Sequence, residues 1–368
     1  MERFRLRGLL LVALAGLLLT ACDEDPQGPE LGPQDISVMT RNLYVGAEIT
    51  DLLLVTDPLA VPDSVASMWA AVQATDFTER AEALAAEIES AMPDVIGLQE
   101  VSLFRYQTPG DKALGGTVPA ETVVLDFLDV LMDALEDLGL NYTVAAQVTD
   151  FDLEVPIEAG GLWPDDIRLT DHDVILVRGG VGVLDTDSGN YSLNLTTVFA
   201  GIDTITVTRG WVSADLWFPN GKVFRFVNTH LEPATIGGMP VPELIALQEA
   251  QAAELRSVLN TSNLPLIVVG DLNSPADGSL TQTYNSMLNW GLSDLWTSVL
   301  SGVGYTCCQN ADLLNPTSVL DERIDLILFT NPFSAESVDI VGEETGDMTT
   351  VTGLWPSDHA GVWGVVRY

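Results

Sequence analysis

The stretch Leu266-Ile-Val-Val-Gly270-Asp271-Leu272-Asn273 constrains the fold more than any other part of the chain. Four apolar residues in a row read as a buried strand. Gly270 permits close backbone approach at its end. Asp271 and Asn273 lie two apart, so extended geometry points both to one side. A buried strand that delivers polar groups at its tip needs a sheet around it and a cleft beyond it.

Other segments share this form. Ile36-Ser-Val-Met-Thr-Arg-Asn42 ends in an amide, and Asp94-Val-Ile-Gly-Leu-Gln-Glu100 ends in a carboxylate. Phe224-Arg-Phe-Val-Asn228-Thr-His230 ends in one of only three histidines. Arg323-Ile-Asp325 opens a strand, and Pro356-Ser-Asp358-His359 opens the last one. Taken singly, each has an ordinary reading. Asn at a strand end makes turns, a Glu there faces water, and a lone His is structural. Taken chemically, hard cations such as Mg²⁺ want carboxylate oxygens. An Asp next to a His binds metal or orients the imidazole.

Periodicity predicts helices over Glu79–Ser90, Glu121–Leu138 and Pro242–Leu259. It predicts strands over 36–42, 94–98, 141–146, 173–178, 264–270, 323–329, 338–341 and 361–366. A hairpin over 211–229 turns at Pro219-Asn220-Gly221. Residues 101–120, 150–170 and 179–208 read as surface loops. Strands alternate with helices in some regions and follow one another directly in others. This mixture predicts an α+β fold, sheet packed on sheet with helices outside, forming one domain over 36–368.

Lys and Arg number 15 against 53 Asp and Glu, a net charge of −38. A hydrophobic fraction of 47% excludes an acidic disordered tail. Proteins that grip nucleic-acid backbones cluster Lys and Arg, and only Lys112 and Lys222 supply lysine. A long footprint on DNA is therefore disfavoured. Surface carboxylates of this number suit high salt or simple solubility. Three cysteines exclude a disulfide framework. Cys307 and Cys308 are adjacent and read as two small, partly buried residues, since disulfides prefer wider Cα separations.

Arg3, Arg5 and Arg7 precede an apolar run from Leu9 to Leu19, the pattern of an export signal. Leu19-Thr20-Ala21-Cys22 resembles a bacterial lipobox, which predicts lipidation at Cys22. Residues 1–22 are then the lipoprotein signal, and 23–35 form a polar tether. The expected location is the cell envelope, with the protein held on a membrane by its lipid, or else the extracellular space.

Taken together, Asn42, Glu100, His230, the Gly-Asp-Leu-Asn and Ser-Asp-His segments and Asp325 resemble the endonuclease/exonuclease/phosphatase superfamily. This group includes deoxyribonucleases, sphingomyelinases and inositol polyphosphate phosphatases. The resemblance implies a four-layer α/β/β/α sandwich and a Mg²⁺-dependent phosphoesterase, with Mn²⁺ or Ca²⁺ as alternative ions. It implies Glu100 as the main metal ligand, Asp358 at the metal site, and Asn42 beside it as a ligand or a supporting group. It implies that Asp271 positions or deprotonates water or ligates a second metal, and that Asn273 donates to phosphate. His230 binds phosphate, and His359 acts as general base or hydrogen-bond donor oriented by Asp325. Arg178 is a candidate phosphate contact. His172 and Glu232 read as loop residues.

A phosphodiesterase of nuclease type is the leading expectation. Alternatives are a phospholipid or sphingomyelin head group, or a sugar or inositol phosphate. A non-catalytic binding lipoprotein or a calcium-binding surface protein has no need of the full polar set.

Overall fold

The computed structural model describes residues 34–200 and 203–368. The expected signal, Cys22 and the tether as far as residue 33 lie outside the described residues. Strand β1 (Asp35–Asn42) leads through helices α1 (Val61–Ala74) and α2 (Phe77–Ala91) to β2 (Val95–Gln99). Then come β3 (Leu103–Gln107), β4 (Thr122–Asp126), α3 (Phe127–Asp137), β5 (Tyr142–Ile157), β6 (Asp165–Arg178) and β7 (Gly182–Asn190). A small hairpin, β8 (Leu195–Phe199) and β9 (Asp203–Val207), precedes β10 (Gly210–Trp217) and β11 (Val223–His230). The short β12 (Thr235–Ile236) and β13 (Met239–Pro240) lead into α4 (Pro242–Leu259) and β14 (Leu266–Asp271). Next are α5 (Thr283–Asn289), β15 (Ser293–Asp294), α6 (Leu295–Val299), β16 (Asp325–Phe329), β17 (Ser334–Val341) and β18 (Gly361–Arg367).

Two large mixed sheets result. One runs β17-β18-β1-β2-β6-β3-β4, with β5 pairing along β6. The other runs β15-β16-β14-β11-β10-β7. Alternating residues on each strand decide which layer they fill. Ile36, Val38, Val95 and Ile175 meet Phe224, Phe226, Ile267 and Val269 between the sheets. Met39, Ile96, Leu98 and Leu176 pack outward on Leu84, Ile88, Phe127 and Leu131 of α2 and α3. Val227, Val268 and Leu326 pack on Leu255 of α4 and Met287 of α5. Helix, sheet, sheet and helix layers follow in order, as the mixed pattern predicts.

Four local expectations need correction, the first being residues 101–120, expected as a loop, which carry β3 paired with β4 and β6. The helix expected over Glu121–Leu138 begins only at Phe127, because the Asp126 carboxylate accepts from the Leu128 and Asp129 amides and caps it there. Residues 150–170, expected as a loop, are largely strand. Phe151, Leu153, Val155 and Ile157 alternate with Asp152, Glu154 and Pro156, a period-2 signal that acidic composition obscured. Residues 179–208 likewise carry β7, β8 and β9. The 210–230 hairpin turns at Gly221 as expected, with φ +86°.

Candidate active site

Sheet register gathers the polar strand ends. Parallel pairing sets Asn42 against Gln99, so Asn42 and Glu100 emerge together. The parallel β11–β14 pair sets His230 against Asp271, and the antiparallel β14–β16 pair sets Asp271 against Asp325. The antiparallel β1–β18 pair returns the chain just after His359 to the Asn42 end. Gly270 makes the close approach possible: a Cβ there would lie 1.9 Å from the Thr229 carbonyl oxygen, at φ +147°.

Asp271 is the centre of the cluster. Its Oδ2 accepts from Asn42 Nδ2 at 3.2 Å. The same oxygen lies 3.6 Å from His230 Nε2 and 3.8 Å from His359 Nε2. Its Oδ1 accepts from the Asn273 amide at 2.8 Å. His359 Nδ1 sits 2.9 Å from Asp325 Oδ2, and its Nε2 sits 4.0 Å from Asp358 Oδ1. Glu100 Oε1 accepts from Asn42 Nδ2 at 3.1 Å, and Oε2 accepts from the Val45 amide at 2.8 Å. Asn42 Oδ1 accepts from the Tyr44 amide at 2.9 Å. The Asn42 oxygen is therefore engaged, and its NH₂ group bridges two carboxylates. The Asn273 side chain donates to the Leu231 carbonyl at 2.9 Å.

Backbone strain marks the same place. Glu100 and Tyr44 hold φ of +55° and +59°, and Asn273 holds +47°. Left-handed backbone costs side-chain-bearing residues energy and persists where the surroundings over-determine it. Asn tolerates it best.

The electrostatics separate the two histidines. Burial works against charge on His359, but Asp325, Asp358 and Asp271 outweigh it and hold the imidazole well above its usual value. Burial, then Arg209 and His359, push His230 well below. The two rings are set apart, His359 pushed toward its charged form and His230 toward its neutral form. Burial, with repulsion from Asp325, raises Asp271 to about 7. Burial and Glu100 raise Asp358 to about 7 as well, against the pull of His359.

Known proteins place this arrangement. A model of the endonuclease/exonuclease/phosphatase family matches residues 68–359. The chain belongs to that family, whose members are hydrolases acting on phosphate esters. Solved structures share its fold. A family protein from Bacteroides thetaiotaomicron superposes with a TM-score of 0.55 at 16% identity, covering 92% of this chain and 99% of its own. A mannosyl-6-phosphatase from the same organism gives 0.54 at 18% identity, covering 90% and 99%. A family protein from Beutenbergia cavernae gives 0.54 at 20% identity, covering 90% and 71%. No curated protein matches the sequence.

Endonuclease/exonuclease/phosphatase proteins generally use a divalent metal, and the donor set here fits one. Glu100, Asp271 and Asp358 supply hard oxygens around one space. Asp358 Oδ1 is buried without a hydrogen-bond partner. Asp325 Oδ1 is likewise buried without a partner, and the Asp271, Asp325 and His359 donor atoms lie within 4.8 Å of one another. We favour the Glu100–Asp358 side, because the Asp325–His359 contact is already a satisfied hydrogen bond. Glu100 and Asp358 are the residues that would hold the ion.

Two buried arginines fix the frame. Arg80 donates to the carbonyls of Leu43 and Pro356 at 2.7 and 3.0 Å, and of Tyr44 at 3.0 Å. It thereby ties the loop after Asn42 to the loop before Asp358. Arg41 holds Glu87 of α2 through two bonds of 3.0 and 2.9 Å and donates to the His359 carbonyl.

Some expected residues fall elsewhere. Arg178 pairs with Asp94 at the far end of β2 from Glu100 and does not join the cluster. Antiparallel pairing of β6 with β2 carries it there. Glu232, expected as a solvated loop residue, is 3% exposed and accepts from Arg209 Nε at 3.3 Å. His172 lies in β6, not a loop, where its Nδ1 contacts the Val101 carbonyl at 3.1 Å. Of the adjacent cysteines, Cys307 is buried and Cys308 exposed. Sequence reasoning missed Arg209, whose Nη1 lies 3.0 Å from His230 Nδ1. It also missed Asp171, buried and raised to about 7 by burial and then Glu100. Asp171 stands two before Asp173, directly ahead of the apolar run Val174–Val177, which was a usable signal.

Proposed function

We propose that this family member is a metal-dependent phosphodiesterase, cleaving its ester by in-line attack of water. The observation that carries the reading is Asp271 Oδ2, reached by Asn42 and both imidazoles within 4 Å. A carboxylate so placed orients or deprotonates water, and the protonated His359 donates to a phosphoryl oxygen as charge grows there. Asp325 keeps the His359 Nε2–H turned into the cleft. Neutral His230 hydrogen-bonds the phosphate or leaving group, and Asn273 supports the anion. A Mg²⁺ ion held by Glu100 and Asp358, with Mn²⁺ or Ca²⁺ as substitutes, would lower the pKa of water and neutralise charge. Asn42 acts as the spacer between carboxylates.

Export and lipid anchoring at Cys22 belong to the same proposal. Cys22→Ser is expected to release the protein from the membrane fraction, and continued association would defeat the anchor.

The test of the chemistry is hydrolysis of bis(4-nitrophenyl) phosphate and 4-nitrophenyl phosphate with Mg²⁺ and with chelator. Metal-dependent diester cleavage, lost in Glu100→Gln, supports the reading. Cleavage that survives chelation and Glu100→Gln sinks it.

A further inference from the structure

The cleft that holds the catalytic cluster has a second half. One cavity of 240 Å³ is lined by Glu100, His230, Asp271 and His359 and also by Phe151, Leu153, Leu169, Phe199, Ile205 and Val207. Strand alternation puts the apolar set there. Phe151 and Leu153 are two apart on β5, and Ile205 and Val207 are two apart on β9. Leu169 stands two before Asp171 on β6, so one strand face runs from hydrocarbon to carboxylate.

Charge on the lining narrows the occupant. Glu48, Asp171 and Glu232 also line the cavity, and among the described residues Arg209 is the only arginine or lysine that does. Its guanidinium is already engaged by Glu232 and His230. A second phosphate or a sugar acid beside the reacting group would meet carboxylates and hydrocarbon. An apolar group would meet matched walls. An apolar cavity of ~150 Å³ takes a benzene-sized molecule, so the space here holds a phosphoryl group together with a ring or short alkyl chain.

Resting on the phosphodiesterase reading above, we propose that the substrate is an amphiphilic phosphate ester. One of its alcohols is an uncharged hydrocarbon seated between β5, β6 and the β8–β9 hairpin.

The experiment keeps the leaving group constant. Esters of 4-nitrophenyl phosphate carrying methyl, hexyl, 2-naphthyl or thymidin-5′-yl as the second alcohol are compared by kcat/KM. The hexyl and naphthyl esters are expected to exceed the methyl ester at least tenfold, since each buried methylene contributes about a fourfold preference. Ile205→Asp and Leu153→Asp are expected to collapse the naphthyl-to-methyl ratio toward one. Binding is measured in parallel by calorimetry, with methylphosphonate and 2-naphthylphosphonate. Naphthyl affinity at least tenfold higher, and lost in the same variants, supports the pocket. Equal affinities, or a thymidine ester preferred over the naphthyl one, overturn it. Failure to cleave any ester would instead strike the phosphodiesterase reading, while the phosphonate ratio still decides the pocket.

Discussion

Asp325 Oδ2 lies 2.9 Å from His359 Nδ1, and this one contact decides which ring nitrogen faces the cleft. With Nδ1–H committed to Asp325, Nε2 points toward Asp271 and Asp358. Asp325, with Asp358 and Asp271, holds the ring above its usual value, so under the proposed mechanism it offers a cationic donor. His359→Ala should lower kcat by about 10²–10⁴, the usual span for a lost proton-transfer or donor group. Asp325→Asn should lose a large part of the same factor, because an amide can hold the wrong tautomer. His359→Ala should also melt below the parent, because it strands the buried Asp325 carboxylate, so its kcat is read well below its own melting point. Parent-like turnover in either variant would refute the assignment.

Acidity offers a second check. Asp271, Asp358 and Asp171 keep their protons to about pH 7 in the native state. The unfolded chain releases those protons near pH 4. Between these values the native state binds more protons, so stability must fall as pH rises. His359 adds to the trend above pH 6.5, where the unfolded ring is neutral and the native one still charged. Buried, neutral His230 opposes it on the acid side. A tenfold change in proton affinity is about 1.4 kcal/mol. Chelated protein should therefore melt several degrees higher at pH 5.5 than at pH 7.5, and Asp358→Asn should flatten the slope. Mg²⁺ should stabilise more at pH 7.5 than at 5.5, because it competes with protons for the same oxygens. A melting point independent of pH would mean that these carboxyls are not crowded.

Not all of this was readable from the chain. The strand tips were legible because a polar residue after an apolar run stands out. Asn42, Glu100, His230 and Asp271 all have that form, His359 instead opens a strand, and the register brings them together. Arg209 has no such signature. It precedes β10 in a polar stretch, and only the fold shows it against His230. Arg178 looked equivalent to the catalytic tips because it also ends an apolar strand. Strand direction decided against it, and direction depends on pairing rather than local pattern. The long β5–β6 pair was hidden for a different reason. Asp150, Asp152, Glu154, Asp165 and Asp166 crowd its far half, so composition suggested a loop while the alternation of Phe151, Leu153, Val155 and Ile157 spelled a strand.

Arg41 and Glu87 supply a stability prediction. Both are buried, with Glu87 pushed upward by burial and held down only by Arg41. Removing one partner of such a pair costs about 3–5 kcal/mol, while replacing both with hydrocarbon is often neutral. Glu87→Ala should thus lower the melting temperature by about 10 °C. Arg41→Met with Glu87→Leu should restore most of that. The double variant should still lose activity, since Arg41 also donates to the His359 carbonyl and holds that loop in place. Full activity in the stable double variant would remove Arg41 from the positioning of His359.

Arg209 yields the sharpest separation of electrostatics from packing. Its Nη1 lies 3.0 Å from His230 Nδ1, and its charge keeps that ring from taking a proton. Burial is the larger cause, so His230 would remain below its usual value without Arg209, only less so. Arg209→Met alone would strand Glu232, whose carboxylate is 3% exposed. The pair Arg209→Met with Glu232→Leu avoids that penalty. In this variant the acid limb of the kcat/KM profile should move upward, by ~1 pH unit at most. The His230 ring should titrate at a correspondingly higher pH by NMR. Retained stability with both values unmoved would show that Arg209 only fills space. A shifted His230 titration with an unmoved acid limb would show that His230 protonation does not limit turnover, and the phosphate-binding role given to the neutral ring would fall.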